Sequence, residues 1–165
     1  PTHSHKGTLA MSRNSFGVGR AGPVDIVVIP DGTTNLQPEV HANKLLLLSD
    51  ADASYVINLP RAFGTGDVYD FLLGIAMTSG SVYISASAAV PSNIIVGTVW
   101  QHTASTATLV LFSSTVNDII SLNRTTTGAA GAGDTLTLVD AAPGVWRVVS
   151  SFLTTSGNPA TPFSG

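Results

Sequence analysis

The chain has 165 residues, enough for one domain with a sizeable core; 44% of them are hydrophobic and only 10% are charged. A net charge of −3, with 7 Lys and Arg in total, leaves no basic patch for a phosphate backbone and argues against nucleic-acid binding. The absence of cysteine excludes disulfides and thiolate metal sites. No apolar run reaches the ~18 residues of a membrane-spanning helix.

Polarity comes from hydroxyls instead of charge: 19 Thr and 18 Ser supply most of it. Such a surface is wet yet cheap to desolvate against another protein.

In chain order, residues 1–42 read as an extended N-terminal arm and residues 43–165 as a β-domain. The arm holds Gly7, Gly17, Gly19, Gly22, Gly32, Pro23, Pro30 and Pro38, with three of the four histidines. Its start, "PTHSHKGTLAMSR", has no apolar signal region, and Pro1 reads as a cytosolic product whose initiator Met was removed. One apolar run, "VDIVVIP" (24–30), predicts an edge strand at 24–29 that Pro30 ends. The rest is too poor in periodic apolar residues to fold alone, and fully stretched it reaches up to ~120 Å.

From residue 43 onward the pattern is β. The runs are "KLLLLS" (44–49), "SYVINL" (54–59), "VYDFLLGIAM" (68–77), "SVYISAS" (81–87), "NIIVGTVWQ" (93–101), "ATLVLF" (107–112), "NDIISL" (117–122), "DTLTLV" (134–139) and "VWRVVSSFL" (145–153). They are short, rich in Val, Ile, Leu and Thr, and separated by Gly, Ser, Asn and Pro. Strict alternation, as in Leu136 and Leu138 against Thr135 and Thr137, marks one buried and one wet face. No 12-residue stretch shows a helical apolar period. The fold class predicted is all-β: an antiparallel β-sandwich or jelly-roll-like barrel with an extended N-terminal arm.

Two Gly-rich stretches end in Gly-Asp: "LPRAFGTGDVYDFLLG" (59–74) and "TGAAGAGDTLTLVD" (127–140). A phosphate-binding glycine loop needs a helix N-terminus behind it. A strand follows each loop here, so both read as turns whose Asp caps backbone amides.

These two stretches, with "GVWRVVSS" (144–151) and the tail "NPATPF" (158–163), carry a resemblance. In this order and spacing the chain resembles the head decoration (cement) proteins of tailed bacteriophages and related virion surface modules. The resemblance implies a β-rich, usually trimeric protein on the capsid exterior, made in the host cytoplasm. Its partners would be the major capsid protein and further copies of itself, and its task capsid stabilisation. A receptor- or carbohydrate-binding module of a tail fibre or spike is the alternative it implies. It implies no catalytic residue and no cofactor.

The chemistry-bearing residues point the same way. Asp67 and Asp70 have opposite strand parity, which does not suit paired carboxylate catalysis. Asp50 and Asp52, in "SDADAS", read as a turn lacking the Gly and Glu of a calcium loop. His3 and His5 sit in the arm, while His41 and His102 are isolated, so no metal site is expected. No G-x-S-x-G elbow occurs, and no enzyme is expected. Trp146 reads as core, and Trp100 as either core or an exposed anchor. Partner contacts are expected at Phe16, Val24, Ile26, Val28 and Trp100, and at Phe163, placed to plug a neighbour's pocket from a tail unable to continue a sheet.

Overall fold

A computed structural model describes residues 25–50, 52–88 and 93–165. The described chain is built from twelve strands and one helical turn. The first half contains β1 (Ile26–Ile29), β2 (Thr33–Asn35), α1 (Pro38–His41), β3 (Lys44–Leu48), β4 (Tyr55–Asn58), β5 (Val68–Leu73) and β6 (Val82–Ser85). The second half contains β7 (Ile94–Thr103), β8 (Leu109–Ser114), β9 (Ile119–Leu122), β10 (Thr135–Ala142), β11 (Val145–Thr155) and β12 (Phe163–Ser164).

Two sheets pack face to face. One has seven strands in the order β1-β3-β5-β10-β11-β7-β8, and the other five, β12-β9-β6-β4-β2. This is the expected all-β sandwich, with open sheets and no closed barrel. The pairing, however, is mixed and not antiparallel throughout. β1, β3 and β5 run parallel, as do β2, β4 and β6. Through its first six strands the chain changes sheet at every step. Each strand of one sheet therefore serves as the crossover between two strands of the other. Parallel pairing usually requires a helical crossover; here the opposite sheet supplies it. Alternation in sequence reports which face is buried, not the direction of the neighbour, so this winding left no local mark.

The second half contributes two hairpins to the larger sheet, which meet through the parallel pair β7 and β11. β10 and β11 are antiparallel and joined through Pro143 and Gly144. Gly144 has φ +77°, the value a Pro-Gly turn of type II needs at its second central residue. β7 and β8 form the outer hairpin.

Strands begin at Ile26, inside the stretch read from sequence as arm. The edge strand expected at 24–29 appears as β1, paired only to β3. β2 and α1 follow it, and Leu36 is buried between them. At the other end, the tail does continue a sheet. Phe163 pairs with Ile120 and is buried in the chain's own core, so it is not available to plug a neighbour's pocket. The physical reason is simple: a lone aromatic in a polar tail gains most by entering the nearest apolar layer.

The core lies between the sheets. Leu46, Leu48, Phe71 and Leu73 from the larger sheet meet Ile57, Ile84 and Ile120 from the smaller one, all essentially inaccessible to solvent. Trp146 is buried, as its strand pattern predicts. Its ring meets Tyr69 edge-on, with centroids 5.2 Å apart, and its indole N–H donates to the Pro60 carbonyl at 3.2 Å. Tyr69 is fully buried and its hydroxyl has no hydrogen-bond partner among the described residues. Burial pushes its ionisation upward, and the negative charges of Asp67, Asp140 and Glu39 push it further.

Gly97, in β7, has φ +121°, and a Cβ there would meet the Val148 carbonyl oxygen at 2.9 Å. It faces the break in register between β7 and β11 that follows Arg147. Gly97→Ala should therefore lower stability by about 2 kcal/mol in chemical denaturation, through positive φ and close backbone approach together.

Tyr55 gives a pH signature. Burial raises its pKa from 10.0 to about 12, with Asp50 adding a smaller repulsive contribution. The folded state favours the neutral phenol, so its stabilisation is complete below pH 10.0 and is lost as pH rises toward 12. Thermal melting followed from pH 9 to 12 should fall more gently in Tyr55→Phe than in the parent chain.

Candidate functional site

The two Gly-Asp loops are the first place to look for chemistry, and both are structural. Asp134 is buried at the start of β10. Its Oδ2 accepts from the backbone N–H groups of Thr154 (2.7 Å), Ala129 (3.2 Å) and Gly131 (3.4 Å), and its Oδ1 from the Thr154 hydroxyl (2.7 Å). The 127–133 loop thus folds around this one carboxylate. Asp140 performs the same task from the far end of β10. It accepts from the backbone N–H groups of Phe63 (3.0 Å) and Gly64 (2.6 Å) and from the Thr65 hydroxyl (2.9 Å). The first loop is therefore held not by the carboxylate of its own Asp67, which is half-buried and accepts from the Asn43 side chain at 3.3 Å, but by Asp140. No helix stands behind either loop, so neither offers a phosphate cradle.

Asp134, Thr154 and His102 lie in line, with the Thr154 hydroxyl 3.4 Å from His102 Nε2. The order is unlike that of a hydrolytic triad, where the histidine stands between hydroxyl and acid. Here the hydroxyl hydrogen is directed to the carboxylate.

Asp50 Oδ1 accepts from the backbone N–H groups of Asp52 and Ala53, at 3.0 and 3.2 Å. This is the turn expected of "SDADAS", and those two donors hold the Asp50 carboxyl below its usual range. No group of three or more metal-ligating side chains occurs among the described residues.

The feature that does stand out is a surface. The outward face of the five-stranded sheet is mostly polar: Thr33, Val56, Tyr83 and Ser121 form one cross-strand row, and the Asn58 amide donates to Asn35 beside it. The outward face of the seven-stranded sheet carries one largely apolar row, beside a row in which Asp70, Thr137 and Ser150 follow Ile26 and Leu45. Val28, Leu47, Leu72, Thr135 and Phe152 are direct cross-strand partners in succession, from β1 through β11. Phe152 then stacks on the His102 ring of β7, centroids 4.6 Å apart, and His102 pairs with Leu109 of β8. One row of side chains thus crosses all seven strands. Beside it lie Ile26 on β1 and the directly paired Trp100 and Leu111 on β7 and β8.

Trp100 and Phe152 are 46% and 54% exposed, and Ile26, Val28, Leu109 and Leu111 are exposed to a similar degree. Of the partner contacts expected from sequence, Ile26, Val28 and Trp100 lie on this one face, although β1 and β7 are five strand spacings apart. Phe16 and Val24 lie outside the described residues. Phe163 belongs to the core. Sequence reasoning missed Phe152, Leu109 and Leu111. The bulge at Val148 and Val149 shifts the parity of β11, so Phe152 points outward although "VWRVVSSFL" gives no such sign.

Comparison with known proteins adds no relative: no family model, no curated protein and no solved structure matches the chain.

Asp134→Ala should cost at least about 3 kcal/mol in urea denaturation, because it strands several buried donors at once. Asp67→Ala, which removes only a half-buried carboxylate with a long bond to Asn43, should cost much less, about 0.5–1 kcal/mol.

Proposed function

We propose that this chain is a structural protein of a tailed-phage virion: a decoration, or cement, protein that binds the outer surface of the assembled head and stabilises it. The observation that carries the reading is the largely apolar row on the outer face of the seven-stranded sheet, with Val28, Trp100, Leu109, Leu111 and Phe152 exposed along and beside it. Contiguous exposed apolar surface of this kind marks protein contact sites, and the low charge of the chain reduces the desolvation cost of docking. The resemblance of residues 56–73, 127–140, 144–151 and 158–163 to cement proteins supplies the class.

The mechanism is mechanical. A rigid two-sheet body lies across the seams between copies of the major capsid protein. It binds the assembled lattice and not the dispersed subunits, so binding shifts the equilibrium toward the intact shell. Association as a homotrimer engages several sites at once and raises the effective concentration of each. In this reading the protein is made in the host cytoplasm and ends on the capsid exterior, and neither a catalytic residue nor a cofactor takes part.

A second reading, a receptor- or carbohydrate-binding module of a tail fibre or spike, is favoured by one observation. Phe152 stacks on His102, and exposed Trp100 stands two residues before His102 on β7, so aromatic faces on which a sugar ring can stack are present on this sheet face.

The two readings differ in amount and in target. A cement protein is present in virions in quantities comparable with the major capsid protein, as read from a calibrated gel; a fibre module is a small fraction of that. Added to heads that lack it, the protein should raise their melting temperature, and Trp100→Asp should weaken attachment about tenfold or more. Unchanged attachment by that variant, or a trace copy number, would sink the cement reading.

A further inference from the structure

Among the described residues the two sheets end in four edge strands, β1, β8, β12 and β2, and three of them are guarded. β2 and β12 are only 3 and 2 residues long. β1 lies between Asp25 and Asp31 and is stopped by Pro30. Short length, flanking charge and proline are devices that keep a sheet edge from pairing with another chain. The fourth edge, β8, has none of them. It runs for 6 residues, "LVLFSS", in unbroken register with β7. Neither a charged residue nor a proline occurs from 103 to 117. Among the described residues no strand pairs with its other side.

The phase of the β7–β8 hairpin shows which backbone groups of β8 face outward. In an antiparallel pair, positions that exchange hydrogen bonds alternate with positions whose N–H and C=O point away. The Thr103 N–H donates to the Thr108 carbonyl at 3.0 Å, so that position is a bonded one. The Trp100 N–H donates to the Ser151 hydroxyl of β11, away from β8, so the Trp100–Leu111 position is not. Along this register Val110, Phe112 and Ser114 bond to β7, while the N–H and C=O groups of Leu109, Leu111 and Ser113 point off the edge of the sheet. The side chains of the same three residues are exposed.

We infer that β8 pairs antiparallel with β8 of a second copy of this chain, about a two-fold axis at Leu111, so that two seven-stranded sheets join edge to edge in solution.

Self-complementarity is the argument for this partner. The outward positions 109, 111 and 113 are spaced evenly about Leu111. Antiparallel pairing therefore sets Leu111 opposite its own copy and Leu109 opposite Ser113 of the second copy, with about six backbone hydrogen bonds in all. Moving the axis to Val110 or Phe112 pairs only two of the three positions within the strand. The side chains agree with the backbone. Trp100 is the direct neighbour of Leu111, so the two copies bring four half-exposed apolar side chains into one row across the junction. On the inner side Val110 meets Phe112. A two-fold contact sets equal charges opposite each other, which ordinarily opposes such pairing; this stretch carries none. The inference concerns the free chain and does not rest on the phage reading. A two-fold contact at β8 leaves the three-fold association of that reading to other surfaces.

The absence of cysteine makes the register directly testable. Opposed Leu111 positions would have Cα atoms about 5.5 Å apart, within the roughly 4.4–6.8 Å that a disulfide spans. Leu109 and its copy would be about 14 Å apart. Under mild oxidation Leu111→Cys should therefore give a covalent dimer on a non-reducing gel. Leu109→Cys alone should stay unlinked, and mixed with Ser113→Cys it should link to that variant. A Leu111→Cys chain that does not link overturns the inference, as does a Leu109→Cys chain that links as readily.

Leu111→Lys supplies a second measurement. Its side chain points to solvent in the single chain, so the fold should be kept, as read by an unchanged far-ultraviolet circular dichroism spectrum. In sedimentation equilibrium the parent should double its mass with rising concentration, and the variant should need about tenfold more protein or greater to do so. A parent whose mass does not double, or a variant that associates as tightly, overturns the inference. None of these measurements needs a phage head, so their failure leaves the attachment reading standing, and failure of attachment leaves them unaffected.

Discussion

Two buried carboxylates, one at each end of β10, hold the rest of the structure in register. An ionised carboxyl removed from water is costly unless its lone pairs are occupied. Asp134 and Asp140 are each occupied by several donors, mostly backbone N–H groups. Thr154 of β11 supplies two of those donors to Asp134, and the others come from loops that have no regular structure of their own. The 59–67 loop closes around Asp140, and the 127–133 loop around Asp134. Between them runs β10, paired on one side with β5 and on the other with β11. The position of β10 in the sheet and the shape of both loops are thus one solution to one electrostatic requirement. This also accounts for two Gly-rich connections in a chain of this size. Glycine lets a backbone bend closely enough for successive amides to face a single acid.

The winding of the first six strands has a consequence for the surface. A chain that changes sheet at each step packs each strand against a parallel neighbour and builds both layers together. The larger sheet then extends beyond the smaller one, seven strands to five. Its outer side retains Leu45, Leu47 and Leu72 from runs that a both-sides-buried sheet would use. The hairpin of β7 and β8 adds Trp100, Leu109 and Leu111 at the opposite margin. The face is seven strands wide, and its largely apolar row, interrupted by Thr135 and His102, runs from one edge to the other. The five-stranded side, with its Thr, Asn and Ser, remains suited to water.

Much of the fold was legible in the residues. Every apolar run from 44 to 153 contains a strand, and the Gly and Pro signals mark where strands stop, because both effects act within a few residues of chain. Trp146 declared itself through the alternation of its neighbours. The two Gly-Asp loops were readable as turns because the sequence after each is β and not helical. The site was legible only in fragments. Ile26, Val28 and Trp100 were recognisable as apolar residues without an obvious burial, yet nothing local tied them to one plane. Phe152 was hidden by a bulge, and Phe163 was misread because a two-residue strand has no periodicity to detect.

The sequence by itself determined where the strands from β3 to β11 lie and, ahead of the bulge in β11, which of their residues face inward. Those properties follow from side-chain period, turn chemistry and backbone conformation, all of which are settled between near neighbours. Tertiary structure alone decided the direction of pairing, the task of Asp140 and the alignment of Val28, Leu47, Leu72 and Phe152 in one row. Each of these depends on groups far apart in the chain, as when Phe63 and Asp140 meet across 77 positions. A buried charge is satisfied by whatever donors the fold brings to it, and no short stretch of sequence records which those will be.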